Sequence, residues 1–255
     1  MLKIILKRLK PQAEKIIAEE QSGFRAGRSA TEQIFNLRIL YEKYLQHQQD
    51  VYHVFIDFKK AFDRVWHAVL WATLKKYNIS TNLIQVIKNL YNKATSAVFF
   101  NSSMGVLFRT TVGVRQGCLL SPILFNIFFE RIMTDALEDH EGTVSIGGRT
   151  ITNLRFADDI DGIAGEGEEL ANLVERLDKA STAYGLVIST KKTKLMTNKT
   201  SGINTEIKVN RQRLETDTSF KYLGPVITDE DSKPEILSRI AQKNSSIDKA
   251  ETNLN

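Results

Sequence analysis

The sequence predicts an α+β fold, a split βαβ sheet with helices on one face, and three observations carry that reading. The run VYHVFIDF (residues 51–58) is rich in strand-forming residues and carries an acid, Asp57, just before its end. Helix-spaced apolar stretches follow it. Farther on, NLRFADDIDGIAG (153–165) places Asp158 and Asp159 between two short apolar runs, and a further helix and strand come next. The order strand, helices, acidic hairpin, helix, strand over residues 51–198 is that of a split βαβ unit.

Residues 3–20 read as an amphipathic helix through Ile4, Ile5, Leu9, Ile16 and Ile17, broken near Pro11. EEQSGFRAGRSATEQIFNLRILYEKYLQ passes through a Gly-, Arg- and Ser-containing turn into a second helix, with Ser29 or Thr31 as its cap. A strand ends near Asp57. KKAFDRVWHAVLWATLKKYN then places Phe62, Val65, Trp66, Val69, Leu70 and Leu74 at helical spacing. A helix over 82–93 follows Ser80 and Thr81. SAVFFNSSMGVLFRTTVG reads as a hairpin turning near Asn101–Gly105.

CLLSPILFNIFFERIMTDALEDH is a long apolar-faced helix, with Ser121 before Pro122 as capping chemistry. TVSIGGRTITNLRFADDIDGIAG supplies short strands separated by Gly-Gly and by the acids. EGEELANLVERLDKASTAYG is a helix with acids at its start and Gly185 beyond its end, as the helix dipole and C-cap favour. Strand-like LVIST, KLMTN, EIKV, RQRLE and FKYLG come next, then a helix from Lys233.

Bulk properties narrow the function classes. A chain of 255 residues buries a substantial core in one or two domains. No apolar run reaches the roughly 18 residues that a membrane-spanning helix needs, and MLKIILKRLK is too charged for a secretory signal, which leaves another targeting role open. One cysteine, Cys118, excludes an internal disulfide and fits a reducing compartment; without a partner it reads as a small buried hydrophobe. Residues 1–100 hold 16 Lys and Arg against 8 Asp and Glu, a net of +8, and the remaining 155 hold 19 against 22, a net of −3. A basic half beside an acidic half suits polyanion binding in one place and cation binding in another, although solvated surface charge reads the same way.

Asp is a poor strand former and adjacent carboxylates repel, so the ADD step has two readings. One is a solvated hairpin turn. The other is a site that concentrates negative charge to hold a cation. If the strands are neighbours, Asp57, Asp158 and Asp159 converge from opposite ends of a long stretch of chain. Mg²⁺ takes one or two carboxylates, with water and substrate phosphates completing its shell. Two such ions about 3.5–4 Å apart suit nucleotidyl transfer to a 3′-OH. Spacing alone leaves both readings open.

The ordered set of other segments resembles the reverse transcriptase domain of non-LTR (LINE-type) retrotransposons. QSGFRAGRSATEQI is similar to that family's second fingers motif, VFIDFKKAFDRVWH to motif A, and GVRQGCLLSPILFNIF to motif B. FADD matches motif C, YGLVISTKKTKLM motif D and FKYLG motif E. The resemblance covers nearly the whole chain. It implies a reverse-transcriptase palm at 51–199 with motifs A to D, with assignment of part of the stretch between motifs A and B to the fingers left open, partial fingers at 1–50, a primer-grip hairpin at 200–232 and the start of a truncated thumb at 233–255.

The activity it implies is RNA-directed DNA synthesis: nucleotidyl transfer of dNTPs to a DNA primer on an RNA template, with two Mg²⁺ ions that Mn²⁺ can replace. Asp57 and Asp158 are then the principal metal ligands, Asp159 supports them, and Phe58 offers its backbone carbonyl. Asp161 matches no invariant ligand and reads as a turn or supporting residue. Phe62, an apolar helix-face residue on its pattern alone, becomes the aromatic against which a ribose 2′-OH would collide. Gln116 would touch the nascent pair or the template backbone, and Gly117 would allow close backbone approach. For Ser121 capping is the preferred role.

By the same resemblance Arg25 and Arg28 reach the nucleotide triphosphate, since guanidinium meets phosphate bidentately. Lys192 would protonate the leaving pyrophosphate, with plain phosphate binding as the alternative. Tyr222, Leu223 and Gly224 form the primer grip. Intracellular residence, in nucleus or cytoplasm, goes with the family.

Three residues depart from the family pattern. Ser189 stands where Asn is usual, which loosens a turn; Arg211 stands where Gly is usual; and Pro225 removes a donor from an expected strand. Family members also carry earlier fingers segments, a helical thumb and usually an endonuclease, whereas this chain ends 31 residues after Gly224. Against a polymerase core stands a catalytically silent, truncated or co-opted fragment that only binds nucleic acid through its basic half. A template-independent nucleotidyltransferase ranks lower. An RNA-dependent RNA polymerase is disfavoured by Phe62.

Overall fold

A computed structural model describes residues 1–92, 95–199 and 202–228 of the protein. The helix expected from Lys233 lies outside them. Helix α1 (Leu2–Ala13) turns Ile5, Leu9 and Ala13 inward. It stops two residues past Pro11, so the expected helix does not continue to residue 20. Helix α2 (Ala30–Gln46) begins at Ser29, whose hydroxyl accepts the Glu32 N–H at 3.1 Å. Of the two cap candidates Ser29 fills the role and Thr31 lies inside the helix.

Strand β1 (Tyr52–Ile56) is buried along its whole length. The single helix expected after it is split. Lys60 takes φ +52°, Ala61–Arg64 form a 3-10 turn, and α3 (His67–Lys76) starts only at His67. The interval is held open by pairing with residues 111–114. The Thr111 carbonyl accepts the His67 N–H, the Val65 carbonyl accepts the Gly113 N–H, and the Phe62 carbonyl accepts the Val114 N–H. Phe62 therefore sits on a short turn, not on an α-helix.

Helix α4 (Thr81–Asn92) is followed by nested ribbons, with β2 (Thr95–Ser96) paired to β5 (Phe108–Arg109) and β3 (Phe99–Phe100) to β4 (Ser103–Met104). Helix α5 (Ser121–Leu137) is the most buried helix, with Phe125, Phe128 and Phe129 fully enclosed. Pro122 lies in its first turn, as expected. Ser121 does not cap it: the helix begins at Ser121, and its hydroxyl instead donates to the Arg115 carbonyl at 2.6 Å.

Strands β6 (Ser145–Ile146) and β7 (Arg149–Thr150) turn at Gly147–Gly148. Strands β8 (Asn153–Phe156) and β9 (Asp159–Ala164) form the acidic hairpin, and α6 (Gly167–Ala183) ends before Gly185 at φ +85°. LVIST joins no ladder. It runs as an extended segment with one isolated bridge, Ile188 to Phe58. Strand β10 (Lys194–Thr197) precedes β11 (Lys208–Val209), β12 (Gln212–Arg213), β13 (Glu215–Thr216), β14 (Ser219–Lys221) and β15 (Val226–Thr228).

The main sheet has the order β13-β10-β1-β9-β8, antiparallel throughout except for β10 beside β13. One face packs Val54, Ile56, Ile160 and Leu195 under α5 and α6. The other face is also covered. There Phe55, Ile163 and Met196 meet Leu37, Leu40 and Tyr41 of α2, with Tyr222 and Ile227 from the β14–β15 hairpin.

Two departures from the family pattern turn out differently from expectation. Ser189 closes its turn with backbone bonds alone, its carbonyl accepting the N–H groups of Lys192 and Thr193 at 3.0 and 2.9 Å. Pro225 lies in the turn before β15, outside either strand, and its carbonyl accepts the Tyr222 N–H at 2.9 Å. Arg211 does carry the expected strain: with Asn210 it forms the two-residue turn between β11 and β12, at φ +49° and +63°. That geometry favours glycine by roughly 1 kcal/mol.

Candidate active site

Strand pairing brings the acids together. Val54, Phe55 and Ile56 of β1 stand opposite Gly162, Asp161 and Ile160 of β9, and the same antiparallel register carries Asp57 to the level of Asp159. At that same end of β9, Phe156 pairs with Asp159 and leaves Ala157 and Asp158 as the two turn residues. Ala157 takes φ +60° while Asp158 does not take a positive φ. A positive φ of that kind ordinarily goes to glycine.

Asp57 is held by its backbone: its N–H donates to Thr193 Oγ1 at 3.3 Å and its carbonyl accepts the Ser189 N–H at 2.8 Å. Its Oδ2 lies 3.3 Å from Lys192 Nζ, whereas its Oδ1 is buried and has no hydrogen-bond partner. The bonds flanking the Phe58–Ile188 bridge run from Ser189 N–H to the Asp57 carbonyl and from Lys59 N–H to the Val187 carbonyl. The Phe58 carbonyl is thereby turned away from that segment.

Burial raises the Asp158 carboxyl above its ordinary range; a hydrogen bond from its own backbone opposes this and the charge of Asp57 adds to it. Asp159 keeps an open side to solvent, yet the protein packed around it, then Asp158 and Asp57, push its pKa up to about 6. Lys192 pulls both down. Among the described residues no three His, Cys, Asp or Glu side chains are gathered closely enough to enclose a metal ion. A Mg²⁺ ion needs no such cage, since water and phosphate fill most of its shell. The orphaned, buried Asp57 Oδ1 is the oxygen that fits one.

Asp161 is not a turn residue. It lies inside β9, fully buried, with both carboxylate oxygens 3.0 and 3.1 Å from His53 Nδ1. Burial raises its pKa and His53 opposes the rise. His53 is stacked on Phe55, which is stacked in turn on Phe220 of β14. Sequence reading missed His53, because one histidine in a strand-forming run carries no signal until its partner is known.

Phe62 is half-buried, its ring stacked on Phe125 at 4.2 Å and edge-on to Phe24 at 6.3 Å. Gln116 is exposed and donates to Asp63 Oδ1 at 3.2 Å, and Gly117 takes φ +77° in open space. Cys118 is partly buried against the core. Arg25 is 10% exposed and fully engaged, donating to Glu14 Oε2 and to the carbonyls of Ala18 and Gln21. A role on a triphosphate would require breaking these bonds. Arg28 pairs with Glu32 one helical turn on, at 3.2 Å. Tyr222 is buried against Phe55, and burial, then Asp161 and Asp159, raise its hydroxyl pKa well above the usual value. Leu223 and Gly224, at φ +51° and +116°, make the bend.

The sequence profile described as Reverse transcriptase (RNA-dependent DNA polymerase) matches residues 1–227. The chain belongs to the reverse transcriptase family. Its relatives include the probable RNA-directed DNA polymerase of transposon X-element from Drosophila melanogaster, 28% identical over 151 residues, 58% of this chain and 15% of that protein. The Pol polyprotein of the R2 element from Nasonia vitripennis is 28% identical over 163 residues, 64% of this chain and 16% of that protein. The chain thus spans about a sixth of the curated relatives it matches. Apo telomerase from Candida tropicalis shares the fold, with a TM-score of 0.65 at 16% identity over 90% of this chain and 40% of that one. No helix among the described residues is long and apolar enough to cross a membrane.

The raised Asp159 pKa has a sign that can be tested. The fold disfavours the charged carboxylate, so stability is lost as pH rises from the ordinary value of 3.8 through about 6. The metal-free Asp159→Asn protein should melt higher than the parent at pH 7.5. The difference should shrink as pH falls below 6 and vanish near pH 4, as followed by thermal unfolding.

Proposed function

We propose that this reverse-transcriptase chain is the polymerase core of an RNA-directed DNA polymerase, adding dNTPs to a DNA primer on an RNA template by two-metal nucleotidyl transfer. The observation that carries the reading is the convergence of Asp57, Asp158 and Asp159 at one end of the β1–β9 pair, with Asp57 Oδ1 buried and unpartnered. Asp57, Asp158, the Phe58 carbonyl and, in support, Asp159 would hold Mg²⁺, which when bound lowers the pKa of the attacking 3′-OH and stabilises the leaving oxygen.

The chain's own residues do the positioning. Phe62, backed by Phe125, forms a wall that cannot retreat when a ribose 2′-OH approaches. Gln116 and Gly117 line the loop that Ser121 ties down through the Arg115 carbonyl. Lys192 is 69% exposed and anchored only through Asp57 among the described residues. It is free to swing to a leaving pyrophosphate and give it a proton. Arg28 supplies charge for the triphosphate by leaving Glu32, an exchange that costs little because a surface pair contributes about 0–1 kcal/mol. Tyr222, Leu223 and Gly224 set the bend over which the primer end would lie.

Primer extension on an RNA template with dNTPs and Mg²⁺ tests the reading. Template-directed product is expected, and Asp158→Ala/Asp159→Ala should abolish it. An inactive parent that still binds primer–template in a salt-sensitive way would make this chain a nucleic-acid-binding relative instead. Phe62→Ala should raise ribonucleotide incorporation relative to deoxyribonucleotide by about 10–100-fold, and an unchanged ratio would remove Phe62 from sugar selection.

A further inference from the structure

Glu20–Ser22 lie along β8 as a parallel edge. Gln21 is bridged to Arg155, whose N–H donates to the Glu20 carbonyl at 3.0 Å, and whose carbonyl accepts the Ser22 N–H at 2.8 Å. From there the Gln21 side chain, 1% exposed, reaches into the acidic turn. Its Oε1 accepts the Ala157 N–H at 2.7 Å, and its Nε2 donates to the Ala157 carbonyl at 3.0 Å. One carboxamide thus pairs with both backbone groups of one residue.

That residue needs the help. Ala157 lies beyond the last paired residues of the β8–β9 ladder, is only 4% exposed, and carries a Cβ at φ +60°. Without Gln21 its N–H and C=O would be buried and unpaired, and nothing local would favour the left-handed conformation. The Gln21 side chain is itself held, since Oε1 also accepts the Gly23 N–H at 2.8 Å. Gly23 presses against the turn so closely that a Cβ there would stand 2.2 Å from the Ala157 nitrogen. Its carbonyl accepts Asn126 Nδ2 of α5 at 2.7 Å.

We infer that Gln21 is a positioning residue for the catalytic turn: its carboxamide locks Ala157 in the left-handed backbone conformation and so fixes the direction in which Asp158 leaves β8. The kinetic consequence rests on the polymerase reading, whereas the backbone lock does not. Gln21 touches no reacting atom in this arrangement. It acts through Ala157.

Three variants test this: Gln21→Met, which keeps length and loses both bonds; Gln21→Glu, which keeps the acceptor and loses the donor; and Gln21→Met/Ala157→Gly. Two readouts apply, exchange of the Ala157 amide by NMR in the substrate-free protein, and extension kinetics on primer–template. Gln21→Met should speed Ala157 exchange by about 10-fold or more and lower kcat about 100-fold, with the dNTP KM and primer–template Kd unchanged. Gln21→Glu should fall between it and the parent. Glycine takes φ > 0 unaided, so Ala157→Gly should return most of the lost kcat.

Unchanged exchange and kcat in both single variants would overturn the inference. So would a kcat loss that Ala157→Gly does not restore, because that loss would belong to general destabilisation. Should the parent show no extension, the polymerase reading fails and amide exchange alone decides whether Gln21 holds the turn.

Discussion

The register between β1 and β9 is the constraint on which the rest of the structure depends. Side chains alternate across a strand, so a slip of one residue would exchange the two faces. Here both faces are committed. Val54 and Ile56 belong to the core under α5 and α6, while Phe55 and Ile163 belong to the core under α2 and the β14–β15 hairpin. The buried contact of His53 with Asp161, one strand to the next, adds a polar lock that no slipped register could satisfy. Asp57 and Asp159 are level with each other because four apolar positions and one polar pair leave no alternative.

Against that rigid frame the acidic end is a local exception. Asp158 and Asp159 are held beside Asp57 where burial favours their neutral forms, and the turn that carries Asp158 puts an alanine at a positive φ that suits glycine. Both features oppose folding, the pattern expected where a functional site is kept at the expense of local stability. Lys192 offsets part of the repulsion, and the Gln21 carboxamide bonds both backbone groups of Ala157 in the turn. The rigid elements carry the site and the adjustable groups surround it.

Much of this was legible in the sequence, for identifiable reasons. Asp57 could be placed because strand-forming residues run up to it, and Asp158 and Asp159 because two short apolar runs flank them. The helix expected over 59–78 failed because an apolar period cannot report Lys60 in the left-handed region or a pairing partner some 45 residues away. LVIST has strand composition but lies where only one bridge forms. Ser121 was read from local chemistry and Arg25 and Asp161 from the resemblance, and none of these readings could show the tertiary partners the residues have: the Arg115 carbonyl, Glu14 with two carbonyls, and His53. Gln21 left no trace, since a side-chain amide that grips backbone 136 residues away has no local pattern.

Sharing of one cation site by carboxylates from two distant stretches of chain, as proposed above, can be read without any enzymatic turnover. Fe²⁺ in place of Mg²⁺, with ascorbate and peroxide, generates hydroxyl radicals that cut the backbone beside the bound ion. Cuts are expected next to Asp57 and across Ala157–Ile160 together, suppressed by excess Mg²⁺ and lost in Asp57→Ala. Cutting at only one of the two stretches, or cutting indifferent to Mg²⁺, would contradict a shared site.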